Sequence, residues 1–257
     1  MDNLKISLIQ TTLAWQNPEA NRSHLGEHID LLHGTDLIIL PEMFTTGFSM
    51  DSVKLAERMD GPGLTWLADT AARTGAVICG SLIIEEDDRY YNRLVWMRPD
   101  GTFSSYDKRH LFRMALEHQH YSPGQHILTV DLNGWVICPQ ICYDLRFPVW
   151  SRNRQGYHLL IYIANWPARR RVPWQILLKA RAIENLSYVA GVNRIGVDGN
   201  DVEHAGDSAV INYLGEEILT TESQQASATI ELDRTALQIF KEGFPAHLDA
   251  DEFSLQR

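Results

Sequence analysis

The feature that most narrows what this chain can fold into is a set of short runs without a polar interruption. Leu37-Ile-Ile-Leu40 and Leu159-Leu-Ile-Tyr-Ile-Ala164 lack the apolar–polar alternation of a half-exposed strand, and Trp135-Val-Ile-Cys138 is similar. Runs this short and this apolar fit strands covered on both faces. Segments with helical spacing lie between them. Glu19 to Leu32 follows Asn17-Pro18 and carries Leu25, Ile29 and Leu32; Leu64 to Thr74 follows Gly61-Pro-Gly63 and stops at Gly75; Trp174 to Asn185 is the strongest. Further strands are expected at Leu4–Gln10, Ala76–Ile84, Tyr188–Asn193, Ala205–Ile211, Glu217–Thr221 and Ala228–Leu232. Tyr90–Arg98 and Thr102–Tyr106 read as a hairpin around Pro99-Asp-Gly101. One parallel sheet with these helices would not use so many strands, and several are hairpin-linked. The expected fold class is therefore α/β, a mixed two-sheet sandwich with helices outside. No linker, repeat or low-complexity stretch divides residues 1–257, so one domain is expected. Its tail from Asp233 is helical over Thr235–Lys241 and then patternless.

Composition removes several functions. The net charge is −10 and the pI about 5.4, which argues against nucleic acid or an anionic membrane as partner. No run approaches the ~18 apolar residues of a membrane span. The N-terminus, with Asp2 and only a short apolar stretch, is neither signal peptide nor anchor. Three cysteines, Cys79, Cys138 and Cys142, are too few for a disulfide framework and suit a reducing, cytoplasmic setting. The C-x₃-C spacing of the last two is not that of a redox pair or a zinc knuckle.

The chemistry centres on Pro139-Gln-Ile-Cys-Tyr-Asp-Leu-Arg-Phe-Pro148. An apolar strand running into this segment, with a helix expected over Val149–Arg154, implies a sharp elbow that exposes Cys142 beside backbone N–H groups. A helix N-terminus there would lower the thiol pKa and offer donors to an oxyanion. At this point a merely packed cysteine stays open. Two other strand ends carry reactive groups: Glu42 follows Leu37–Leu40, and Lys108 follows the hairpin. A cysteine nucleophile needs a base, which Glu42 can be if burial raises its pKa toward neutrality. It also needs positive charge or donors for the oxyanion, which Lys108 and the Tyr143 N–H can supply. Against these stand a helix-start Glu42 and a solvated Lys108-Arg109 pair. Asp107 to Gly124 has no clear period and holds Glu117, which suits an active-site loop. His118, His120 and His126 raise a metal hydrolase, but no His-Glu-x-x-His accompanies them, so neither metal nor cofactor is expected. Cys79 and Cys138 sit in apolar runs and read as packing residues.

Leu40-Pro-Glu42, Tyr106-Asp-Lys-Arg-His-Leu-Phe112 and Ile141-Cys-Tyr-Asp-Leu-Arg-Phe147 resemble, in order and spacing, the three signature segments of the nitrilase (carbon–nitrogen hydrolase) superfamily. The resemblance extends through Arg181-Ala-Ile-Glu-Asn185 to Gly206-Asp-Ser208. It implies a four-layer α-β-β-α sandwich, paired as a homodimer through helices beside the elbow. It implies Glu42 as general base, Lys108 as oxyanion stabiliser, Cys142 as nucleophile, and Glu117 as the second glutamate that positions substrate and lysine. Cys-Tyr-Asp-Leu-Arg-Phe147 is most similar to the ω-amidase branch, whose members hydrolyse the terminal amide of 2-oxoglutaramate or 2-oxosuccinamate. Arg146 is then implied to hold the distal carboxylate of a small anionic amide, for which a guanidinium fork is suited. The alternative for Arg146 is a structural pair with Asp144 or another acid. Asn165-Trp-Pro-Ala-Arg-Arg-Arg171 departs from the ω-amidase pattern, so its contacts do not carry over. Trp166 is a candidate pocket wall and Arg170 a second carboxylate contact, while Arg169 and Arg171 read equally as solvated. Phe44 is a further candidate wall, or core. N-carbamoyl amino acid hydrolysis, nitrile hydrolysis and a non-catalytic scaffold on the same fold are the competing readings.

Overall fold

The computed structural model describes residues 3–255. The strands are β1 (Asn3–Gln10), β2 (Leu37–Ile39), β3 (Val77–Glu86), β4 (Arg89–Met97), β5 (Phe103–Asp107), β6 (Val130–Leu132) and β7 (Trp135–Ile141), then β8 (Leu159–Ala164), β9 (Tyr188–Asn193), β10 (Ile195–Val197), β11 (Glu203–Ala205), β12 (Ala209–Ile211), β13 (Glu217–Thr220) and β14 (Ala226–Asp233). The helices are α1 (Pro18–Asp30), α2 (Ser52–Leu55), α3 (Pro62–Thr74), α4 (Glu117–His120), α5 (Pro148–Ser151), α6 (Arg171–Asn185) and α7 (Arg234–Gly243). Local chemistry sets the ends of the longer helices. The Asn17 carboxamide oxygen accepts the Ala20 N–H at 3.2 Å before α1, and the Asp233 carboxylate accepts the Ala236 N–H at 2.9 Å before α7. Gly75 closes α3 at φ +69°.

Two six-stranded mixed sheets form, in the orders β14-β1-β2-β3-β4-β5 and β13-β12-β9-β8-β7-β6, and β10 pairs with β11 alone. Each sheet has a parallel centre, β1-β2-β3 in one and β7-β8-β9 in the other, flanked by antiparallel neighbours. The all-apolar runs are explained by what covers them. Leu37 and Ile39 of β2 join the core between the sheets, where they meet residues such as Trp96, Ile137 and Ile161. Ile38 and Leu40, pointing the other way, pack with Leu25 and Ile29 of α1 and Leu67 and Ala71 of α3. On the far side α6 covers the second sheet, and Gly191 of β9 is needed there: a Cβ would lie 2.6 Å from Leu178. The layers are helix, sheet, sheet, helix. Among the described residues no helix is long and apolar enough to cross a membrane.

Three sequence expectations change. The single strand over Ala205–Ile211 is two, β11 and β12, because Gly206 and Asp207 take left-handed φ of +74° and +55°. The Gln10 side chain presses on that break, and its Oε1 accepts from both the N–H and the hydroxyl of Ser208, at 2.9 and 2.6 Å. The helix after the elbow spans only Pro148–Ser151, since Arg152 turns extended. The elbow itself is a 3₁₀ turn over Cys142–Arg146. Asp107 to Gly124 is not wholly irregular either; it contains a 3₁₀ turn, Arg113–Ala115, and α4.

Candidate active site

Parallel strands of both sheets deliver their C-terminal ends to one place: Glu42 just beyond β2, Cys142 directly after β7, Asn165 directly after β8. Crevices at such strand ends are where α/β sheets hold ligands. The two sheets are tied across this point. Glu42 Oε2 accepts the Asn165 backbone N–H at 2.8 Å, and the Asn165 side-chain amide donates to the Glu42 carbonyl.

Lys108, 1% exposed, sits between two fully buried carboxylates. Its Nζ donates to Glu42 Oε1 at 2.8 Å and to Glu117 Oε1 and Oε2 at 3.0 and 3.1 Å, and lies 5.0 Å over the Phe48 ring. Asn92 Nδ2 donates to Glu42 Oε1 at 2.8 Å, and the Phe112 N–H donates to Glu117. Burial alone would lower the Lys108 pKa, but Glu117 and Glu42 outweigh it and hold the ammonium above its ordinary range. Burial raises the Glu117 pKa, opposed by Lys108 and assisted by Glu42.

Cys142 is 8% exposed and has φ +45°. Its thiol pKa is pushed up, first by burial and then by the Glu42 carboxylate, with a side-chain hydrogen bond to Glu42 adding to the effect; Lys108 opposes. The lowered pKa expected from a helix N-terminus is thus reversed. A five-residue 3₁₀ turn brings little dipole, while two carboxylates face one ammonium nearby. Left-handed backbone recurs around the reactive groups. Met43 follows Glu42 at φ +45°, and Leu116 precedes Glu117 at φ +57°. Such conformations cost about 1–3 kcal/mol each in non-glycine residues and persist where neighbours over-determine them. At Met43 the backbone N–H is held by the Ser81 hydroxyl at 2.8 Å.

Cys142 and Lys108 line a cavity of about 310 Å³, together with Phe48, Arg146, Trp166 and His204. The Arg146 guanidinium stands 5.0 Å over the Trp166 ring. It does not pair with Asp144, whose oxygens are taken by Tyr106, His110 and the Ile141 N–H. Tyr143 lines the cavity too, its N–H in the first turn after the thiol, where intrahelical acceptors are lacking. The Arg170 guanidinium sits 5.2 Å over the Phe112 ring, and its carbonyl accepts the Trp166 indole N–H at 2.7 Å. Arg169 also lines the cavity, whereas Arg171 is turned away to Asp207, at 2.6 Å.

Phe44 is the exception among the candidate residues. It is fully buried in the core between the first sheet and its helices, 5.6 Å from the Trp66 ring, and Gly80 leaves the room for it. Phe48, four residues on, takes the wall. His118, His120 and His126 are exposed, apart from buried Glu117. The sequence reading missed Asn92, Asn165 and His204. Asn92 left a signal, an amide inside a strand; Asn165 depends on where β8 ends, and His204 on the pairing of β10 with β11.

This sandwich, with a thiol, an ammonium and two carboxylates converging at its strand ends, is the architecture of carbon–nitrogen hydrolases. The sequence matches that family over residues 5–239, and the chain belongs to it. Among its relatives is the omega-amidase YafV of Escherichia coli (strain K12), 48% identical over 256 residues, which cover 99% of this chain and 100% of that protein. The 2-oxoglutaramate amidase of Bacillus subtilis (strain 168) is 30% identical over 250 residues, covering 95% and 96%. The solved structure of XC1258 from Xanthomonas campestris, a CN-hydrolase superfamily protein with an arsenic adduct in its active site, superposes with a TM-score of 0.98. Its sequence is 46% identical, with both chains covered completely.

Proposed function

We propose that this protein is an ω-amidase that releases ammonia from the terminal amide of short 2-oxo dicarboxylate monoamides, such as 2-oxoglutaramate and 2-oxosuccinamate. The observation that carries the reading is Arg146. Among the described residues its guanidinium has no carboxylate partner, and it lines the same cavity as the Cys142 thiol. A cation in the cavity wall, free to pair with a substrate carboxylate, selects an anion and aims its far end at sulfur. The names of the Escherichia coli and Bacillus subtilis relatives support the same substrate class.

In the proposed mechanism the thiol rests protonated. As sulfur attacks the amide carbon, Glu42 takes the thiol proton, and Lys108 with the Tyr143 N–H holds the oxyanion. Glu42 then passes that proton to the departing nitrogen, ammonia leaves, and a thioester remains on Cys142. Water, deprotonated by Glu42, attacks the thioester; the carboxylate product leaves and sulfur recovers its proton. Glu117 holds Lys108 from the other side. Trp166 and Arg170 shape the pocket and its charge, and Phe44 has no part in it.

We further propose one hydrolase domain over residues 1–257 and a cytoplasmic enzyme, for which three unpaired cysteines are suited. Pairing of two copies is supported by Val172, Ile176 and Ile183, apolar and 61%, 59% and 51% exposed along α6. The test of substrate class is ammonia release from 2-oxoglutaramate beside glutamine, asparagine, an N-carbamoyl amino acid and a nitrile. The 2-oxo amide is expected to lead by at least tenfold in kcat/KM, with Arg146→Lys raising its KM by about tenfold. Preference for the carbamoyl substrate or the nitrile, or an unchanged KM, would overturn the assignment.

A further inference from the structure

Asp144 is fully buried and touches nothing that reacts, yet four donors converge on its carboxylate. Its Oδ2 accepts the Tyr106 hydroxyl at 2.7 Å and the Ile141 backbone N–H at 3.1 Å. Its Oδ1 accepts the His110 backbone N–H at 2.9 Å and pairs with His110 Nδ1 at 2.8 Å. The positions of these donors matter more than their number. Ile141 precedes the nucleophile, and Asp144 itself follows it by two residues, so the Ile141–Asp144 bond closes a ring around Cys142. Cys142 is left-handed within that ring, a backbone state that needs neighbours to impose it. Tyr106 and His110 stand two residues before and two after Lys108. The grip on both is reinforced: the Trp150 indole N–H donates to the Tyr106 oxygen at 3.0 Å, and the His110 ring stacks on Phe147 at 3.8 Å and 7°.

We propose that Asp144 is a positioning residue that locks the Cys142 elbow to the Lys108 segment, setting the sulfur–ammonium geometry through one buried carboxylate. The proposal rests on Cys142 and Lys108 being the reacting pair. Because the elbow and the lysine strand belong to different sheets, no ladder hydrogen bond joins them, and Asp144 supplies the link. Loss of the carboxylate releases both segments at once. Loss of the Tyr106 hydroxyl frees the lysine side and the Trp150 indole N–H but leaves the Ile141–Asp144 ring closed.

That difference makes the test. Asp144→Asn replaces an acceptor oxygen by a donor facing existing donors, whereas Tyr106→Phe removes one O–H donor to Asp144 and, with its oxygen, the acceptor of the Trp150 indole and Arg109 backbone N–H groups. Both variants are compared with the unaltered enzyme in 2-oxoglutaramate turnover and in the rate of Cys142 alkylation by iodoacetamide, with folded fractions taken from circular dichroism. Asp144→Asn is expected to lower kcat by about a hundredfold and to slow alkylation by a similar factor, while KM stays within about twofold. Tyr106→Phe is expected to lower kcat about tenfold with alkylation nearly unchanged, because the ring around Cys142 survives. Wild-type kcat per folded molecule in either variant, or a loss lying in KM instead, overturns the proposal. If Asp144→Asn does not fold, Tyr106→Phe decides alone. If the unaltered enzyme ignores 2-oxoglutaramate, the amidase reading fails, and the contrast in alkylation between the two variants still decides the positioning role.

Discussion

Burial and the neighbouring Glu42 carboxylate push the Cys142 thiol pKa up, so if Cys142 is the nucleophile we propose, its nucleophilicity is generated during attack and not stored beforehand. This gives Glu42 two proton transfers per turnover in the proposed mechanism. Glu42→Gln keeps the shape and removes the base; kcat should fall by about a thousandfold with KM little changed, measured by ammonia release. In the proposed mechanism Lys108 serves chemistry, and its two buried ion pairs serve stability as well. Lys108→Met leaves Glu42 and Glu117 buried without their ammonium, so kcat should drop about a hundredfold or more. Urea unfolding should also show a loss of about 3–5 kcal/mol, and a variant as stable as the parent would refute the pairing as a stability element. At this scale Glu42, Lys108 and Cys142 stood out as candidates because each follows an apolar or strand-like run, whereas Glu117, in the aperiodic stretch after Lys108, was named through the family resemblance. The direction of Phe44 was not legible. An aromatic two residues after Glu42 could face either way until Met43 took its left-handed turn and sent Phe44 into the core.

Elements matter here by what they leave room for. Gly124 donates its N–H to the Lys108 carbonyl at 2.9 Å, and a Cβ there would fall 2.0 Å from the Asp107 carbonyl oxygen. Gly124→Ala therefore cannot be absorbed without moving the Lys108 segment. A destabilisation of about 2 kcal/mol is expected, with a fall in kcat larger than the change in KM. On β11, His204 is 4% exposed, and among the described residues its Nδ1 has no hydrogen-bond partner. Burial, with Arg194 nearby, depresses its pKa from the ordinary 6.5 to about 4. The folded state thus binds this proton less tightly than the unfolded chain, and stability present above pH ~6.5 is lost as the pH falls toward 4. At pH 5 the loss is about 2 kcal/mol. His204→Asn should flatten that part of the acid limb; unfolding curves at pH 7 and pH 5 with an unchanged difference would rule the histidine out. The strand over Ala205–Ile211 was misread for a similarly local reason. Gly206-Asp-Ser208 is a turn-type tripeptide set between strand-like residues, and Gln10, from the other end of the chain, holds the break it makes.

For the whole molecule, the layers require four surfaces of sheet to be covered, and α6 turns a second apolar edge outward with Val172, Ile176 and Ile183. Ile176→Asp should shift sedimentation from the dimer we propose toward monomer, and a dimer unaffected by the change would place the contact elsewhere. Periodicity and turn chemistry, which depend on residues a few positions apart, were readable along the chain. They determined the buried strands, the long helices, the hairpin and the segments that bear reactive groups. Which of those segments meet, which aromatic faces the cavity and which way the Cys142 pKa moves were decided only by tertiary structure. Glu42, Lys108 and Cys142 act on one another through space, and their electrostatics follow from distances of a few ångströms and the loss of water, quantities that no local pattern contains.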